Sequence, residues 1–114
     1  MMSPRPGEVW LADLGQAAKT RPVVIVSRYD PDSPRALVLY IPLTTQNRTS
    51  PYESAPSAPS FLDRDSFANV QGLGSVPTVR LGSRLGSLPP PVMTKIRQAL
   101  VFALDLHALP DAEA

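Results

Sequence analysis

The residues of this chain that could do chemistry are few, and the first is Arg21. It stands between a polar stretch, Gly15-Gln16-Ala17-Ala18-Lys19-Thr20, and the run Pro22-Val23-Val24-Ile25-Val26-Ser27. Pro22 fixes its own φ and biases Arg21 toward an extended conformation. A guanidinium is thereby set where a pliable loop joins a rigid strand, which suits a functional cation. The plainer reading is a surface arginine that closes off a core strand. A second polar group, Thr44-Thr45-Gln46, comes directly after another apolar run. Nine of the eleven basic residues are arginine, leaving only Lys19 and Lys95 as lysines. Arginine suits bidentate contacts to phosphate better than lysine does, although high-GC coding would enrich it as well.

Other chemistries are excluded or weakly supported. The chain has no cysteine, which removes disulfides, zinc-thiolate sites and cysteine nucleophiles. The one histidine, His107, lies beyond the last helical stripe in a short acidic tail expected to fray. Asp63 and Asp65 flank Arg64 and read as a structural turn rather than a carboxylate pair for acid–base work. A net charge of +1 gives no strong field toward nucleic acid or membrane. No apolar run is long enough to span a bilayer. The first six residues lack the apolar core of a signal peptide. The expectation is a soluble, cytoplasmic protein. At 114 residues it is expected to form one domain, residues 1–114, with a core at about 6–106.

The elements that must position these groups are short strands. Twelve of the fourteen prolines fall mostly between apolar runs, as in strands joined by turns. Strands are expected over residues 7–14, 22–27 and 35–43, with Pro42 marking an edge or bulge. Residues 22–27 are apolar without alternation and read as buried on both faces. A short edge strand is expected at 51–54 and a fourth long strand at 66–70. The stretch 71–77 reads as less regular, with Gly72 and Gly74 suggesting bulges or close backbone approach. Residues 55–61 read as a mobile loop. A terminal helix begins at the proline triplet, Pro91 serving in its first turn. Its core stripe is Val92, Ile96, Ala99, Leu100 and Ala103, with Met93 and Leu104 at the flanks. Val101 and Phe102 fall outside the stripe and are candidates for contacts with strands or a second subunit. Trp10 reads as packing. The fold class is mainly β: five to seven short strands in a small, strongly bent barrel closed or plugged by the helix.

Taken in order, these pieces resemble the MazF/PemK family of toxin ribonucleases from bacterial toxin–antitoxin systems. The matching residues are Gly7-Glu8-Val9-Trp10, Asp13-Leu14, Arg21-Pro22-Val23-Val24-Ile25-Val26-Ser27 and Pro42-Leu43-Thr44-Thr45-Gln46. Leu62-Asp63-Arg64-Asp65-Ser66, Arg80-Leu81 and Leu85-Gly86-Ser87-Leu88 follow, then the amphipathic helix. Single pieces are weak signals; their order and spacing together are specific. The resemblance implies an SH3-like toxin barrel that forms a homodimer and cleaves single-stranded RNA at a short sequence without metal or other cofactor. It implies a small antitoxin partner whose disordered tail fills the RNA groove. The family's catalytic arginine falls on Arg21, and its catalytic threonine or serine on Thr44, with Gln46 completing that motif.

The chemistry fits those residue types. RNA carries its own nucleophile, the 2′-hydroxyl, and intramolecular attack is strongly favoured once geometry is fixed. Arg21 would neutralise the non-bridging oxygens in the transition state. With an ordinary pKa above about 12 it is a poor general base, so electrostatic stabilisation, with protonation of the leaving oxygen, is the role expected. Thr44 would hold a phosphate oxygen or orient the 2′-hydroxyl. Single-stranded RNA is read by stacking and base-edge contacts, which fall to loops. The candidates are Gln16, Lys19, Thr20, Thr45, Gln46, Arg48, Asn69 and Gln71, each of which could equally be an ordinary polar loop residue.

The chain also departs from the family. Many relatives carry Asp-Gln followed by a basic residue near the position of Gln71-Gly72-Leu73-Gly74 here, and both the carboxylate and that cation are missing. Two alternatives stay open. One is a catalytically weakened barrel that binds RNA or antitoxin without turnover. The other is a gyrase poison of the related barrel family, which carries a tryptophan in its tail where this chain has only Trp10.

Overall fold

The polypeptide begins its regular structure where alternation begins. In the computed structural model, which describes residues 3–15, 20–45, 50–54 and 66–106, β1 (Glu8–Asp13) sends Val9 to one face and Trp10 and Ala12 to the other. Gly7 starts it at φ +92°, a left-handed conformation that glycine adopts without steric penalty. Its N–H donates to the Ile25 carbonyl and its carbonyl accepts from the Leu88 N–H, at 2.8 and 2.9 Å. One residue thus ties the start of β1 to the end of β2 and the entry to the helix.

β2 (Thr20–Ile25) and β3 (Leu37–Thr44) follow, all pairings being antiparallel. β4 (Glu53–Ser54) and β5 (Phe67–Asn69) pair with each other and, through β5, with the C-terminal end of β3. β6 (Gly74–Pro77) takes the N-terminal half of the same β3 edge. β7 (Leu81–Ser87) pairs with β1 through two register shifts, the irregularity that bends a small sheet into a barrel. The seven-stranded path runs β4-β5-β3-β2-β1-β7, with β6 beside β3. The mainly β fold with a terminal helix is as the sequence predicts.

Both faces of the central strands are covered. Val23, Val24 and Ile25 are fully buried, as the unalternating run requires. One apolar cluster holds Val9, Val24, Ile41, Leu43 and Ala68 beneath Met93, Ile96 and Ala99 of helix α1 (Pro90–Ala103). The other holds Trp10, Ala12, Val23, Ile25, Val38, Val76 and Leu81. Each fully buried Val or Ile side chain contributes about 1.5–3 kcal/mol.

Several boundaries differ from expectation. β2 starts at Thr20 and β3 ends at Thr44, so Arg21 and Thr44 are strand residues. β5 has three residues, because Val70 turns into the core and starts a single helical turn at Val70–Gly72. Residues Gly74–Pro77 are a strand despite their glycine and proline. Thr78–Arg80 is another helical turn. Met93 is a core residue rather than a flank, and Leu104 is exposed. The helix starts at Pro90 and ends in a left-handed Asp105 with Leu106 N–H to Val101 C=O and Asp105 N–H to Phe102 C=O bonds, a Schellman stop. Phe102 is half-exposed, its ring edge-on to Tyr52 at 5.2 Å.

Candidate active site

Strand register brings the separate candidates to one end of the sheet. Ala12 pairs with both Leu81 and Arg21, and Thr44 pairs with Phe67. The β2–β3 ladder ends at Val23 opposite Pro42; two residues further along the same register, Arg21 is the position opposite Thr44. Directly opposed residues share a face, as do alternate residues along a strand. Leu81, Ala12, Arg21, Thr44 and Phe67 therefore form one transverse row across β7, β1, β2, β3 and β5. With strands about 4.8 Å apart, Arg21, Thr44 and Phe67 lie within about 10 Å of backbone.

The environment of each group suits anion contact. Arg21 is exposed and, among the described residues, makes no ion pair. Thr44 is half-buried and Thr45, just past the strand, is exposed. Asn69 lies on the same face as Phe67, two residues on, and its Oδ1 accepts from the Gln71 N–H at 3.1 Å, capping the turn that presents Gln71 to solvent. Thr20, next to Arg21 in the strand, alternates to the opposite face, opposite Asp13. Gln16, Lys19, Gln46, Arg48, Arg64 and His107 lie outside the described residues.

Two residues that sequence reading did not single out for this site belong to the neighbourhood. Phe67 is one, visible only once the β3–β5 register is known. Arg80 is the other: it immediately precedes Leu81 of the row, with its Nη1 a loose 3.9 Å from Asp13 Oδ2 and both groups exposed. A cation is thus supplied to this end of the sheet from a distant part of the sequence.

The glycines of the Gln71–Gly74 stretch have a packing reason. A Cβ on Gly72 would lie 2.6 Å from Pro42 Cγ, and one on Gly74 would lie 2.9 Å from the Tyr40 hydroxyl. The close approach expected from sequence is present.

A carboxylate-centred network holds the opposite end of β1. Glu8 accepts from the Arg5 backbone N–H at 2.8 Å, the Trp10 indole N–H at 3.2 Å and Arg84 Nε at 2.9 Å. Partial desolvation opposes ionisation of Glu8, but these donors together with the Arg84 charge outweigh it and hold the carboxyl below its ordinary range. Trp10 is buried packing, as expected.

An open pocket of about 710 Å³ lies elsewhere, lined by Ser27, Arg28, Asp30, Asp32, Leu37 and Val79 among others. Leu37 and Thr44 are opposite ends of β3, about 23 Å apart at the usual strand rise. The pocket is therefore remote from the row.

The comparisons with known proteins agree with this fold. A family model described as PemK-like, MazF-like toxin of type II toxin–antitoxin system matches residues 5–104. The chain is similar to Endoribonuclease MazF4 of Mycobacterium tuberculosis and Endoribonuclease MazF1 of Mycobacterium bovis. Each is 38% identical over 110 residues, covering 93% of this chain and 97% of the relative. Among solved structures, an endoribonuclease in complex with its cognate antitoxin from a mycobacterial species superposes with a TM-score of 0.81 at 32% identity, covering 95% of this chain and 100% of that one. With the motifs in order, the strands in register and both kinds of relative in agreement, the chain belongs to the PemK-like, MazF-like toxin family of type II toxin–antitoxin systems.

Proposed function

We propose that this chain is an endoribonuclease toxin that cleaves single-stranded RNA at the Arg21–Thr44 end of the sheet. What supports the site assignment is the β2–β3 register, which, continued two residues past Val23 and Pro42, brings the exposed Arg21 opposite Thr44 on one face. In the reaction the 2′-oxygen attacks the adjacent phosphorus and its proton passes to solvent water, which also returns a proton to the leaving oxygen. The bond from phosphorus to the 5′-oxygen breaks, and that oxygen is protonated. The products are a 2′,3′-cyclic phosphate and a 5′-hydroxyl. Arg21 stabilises the charge that gathers on the non-bridging oxygens. Thr44 hydrogen-bonds the phosphate or aligns the 2′-hydroxyl, which secures the effective-concentration advantage of an internal nucleophile. These steps require no metal.

Thr45, Asn69 and Gln71, with Lys19, Gln46 and Arg48, are the proposed RNA-binding residues, and Thr20 joins them from the opposite face at the start of β2. The protein acts in the cytoplasm as a one-domain chain that pairs into a homodimer, and a small antitoxin protein silences it. The mycobacterial relative solved with its cognate antitoxin supports that partner, and no helix among the described residues is long and apolar enough to cross a membrane. The test is incubation with an unstructured RNA in chelator, with mapping of the ends. Fragments ending in a 2′,3′-cyclic phosphate are expected. Tight RNA binding without fragments would replace this reading by that of a binding module.

A further inference from the structure

We propose that Phe67 is the platform on which a base of the bound RNA stacks beside the reacting phosphate, making it a specificity-determining residue of this site. The inference rests on the ribonuclease reading above. Phe67 faces Thr44 directly across the β3–β5 ladder. The next pair, Leu43 and Ala68, points the other way, into the cluster beneath the helix. Phe67 is thus turned to the Arg21 face.

Phe67 is half-buried and, among the described residues, joins neither apolar cluster, whereas Tyr40, Tyr52 and Trp10 each join one. A partly exposed ring one strand from the proposed phosphate-binding hydroxyl can offer a π-face to a nucleobase. In a nucleotide the base and the phosphate are joined through one sugar. The single strand spacing of about 4.8 Å between Thr44 and Phe67 matches that reach. Asn69, two residues along the same face, spends its carbonyl oxygen on the Gln71 N–H. Its amide nitrogen lies 3.9 Å from the position a Cβ on Gly72 would take, beside the same helical turn.

The experiment uses the shortest RNA that the wild-type protein cuts, remade with 2′-O-methyl sugars so that it binds without reacting. Single abasic positions are then scanned through it. Wild-type protein is expected to lose about 5- to 150-fold in affinity at one position, the range of one base–aromatic stack. Phe67→Leu, which keeps apolar bulk, is expected to bind the intact RNA more weakly by a similar factor and to show no further loss at that abasic position. Phe67→Trp is expected to restore both the affinity and the abasic penalty; it also carries the test if the leucine variant does not fold.

An unchanged affinity in Phe67→Leu, or an abasic penalty that persists in it, would overturn the inference alone, provided the wild type still cuts RNA. A wild-type protein that neither cuts nor binds RNA would remove both this inference and the reading on which it rests.

Discussion

Thr44 and Phe67 stand directly opposite each other across β3 and β5, on the sheet face that also carries Arg21. Three elements separated in sequence by more than twenty residues each thus bring a guanidinium, a hydroxyl and an aromatic ring to one end of the molecule. Nothing local in the chain fixes that convergence. It follows from antiparallel pairing, in which one register decides the facing partner of every residue.

Removing the guanidinium should separate chemistry from stability. Arg21 is exposed, so Arg21→Ala should leave thermal unfolding within about 0.5 kcal/mol of wild type. Its cleavage rate should fall by about 10²–10³-fold, as when one transition-state donor is lost. Arg21→Lys should fall between the two, since it keeps the charge and loses the planar fork. Rates on a mapped RNA and a melting curve for each variant check this.

The hydroxyl is tested by an isosteric pair. Thr44→Val keeps the branched shape that the strand accommodates and removes the oxygen, and should slow cleavage by about tenfold or more. Thr44→Ser should retain most of the rate. Because Thr44 is half-buried and also makes contacts within the fold, the valine variant should lose about 1 kcal/mol of stability as well. Full turnover in Thr44→Val would deny the hydroxyl any chemical part.

Glu8 gives a pH signature. Its folded pKa is below the ordinary, unfolded value of 4.5. The stabilisation it supplies is therefore fully present above that unfolded value and is lost as the pH falls through the lowered one. Glu8→Gln should unfold with about 1–2 kcal/mol less stability at neutral pH. It should also lack part of the wild-type decline on acidification. Urea midpoints taken from pH 7 down to pH 3 for both proteins provide the comparison.

Gly72 should tolerate no side chain. Its Cβ would meet the rigid ring of Pro42 at 2.6 and 2.9 Å, so Gly72→Ala must displace the turn and should cost about 1–3 kcal/mol. Gly74→Ala meets the far end of the Tyr40 side chain, which can swing aside, and should lose less. Denaturant midpoints of the two variants decide the order.

Much of this was legible before any coordinates. The apolar run at residues 22–25 announced a strand covered on both sides, and the order of motifs announced the family. Other features were hidden for physical reasons. Glycine and proline in β6 carry the wrong propensity, and only pairing with β3 makes them a strand. The helix phase was misjudged at Met93 because the neighbour on which a helix packs, Gly7 in this case, decides which side is inward. The sequence puts Thr20 in the loop and Arg21 at its junction with the strand; because both are strand residues, alternation sends them to opposite faces. Phe67 looked like one more strand aromatic until its register partner was known.

β3 is flanked on one side by two short strands in succession, with a single helical turn spanning the break between them. The ladder of β1, β2 and β3 takes its alignment from no residue of that patch. On the proposed reading, changes confined to it alter which nucleobase is admitted while the Arg21–Thr44 pair keeps its alignment. Preference and reactivity are thereby free to drift apart within one small protein, so a lineage can acquire new cutting sites without rebuilding its machinery.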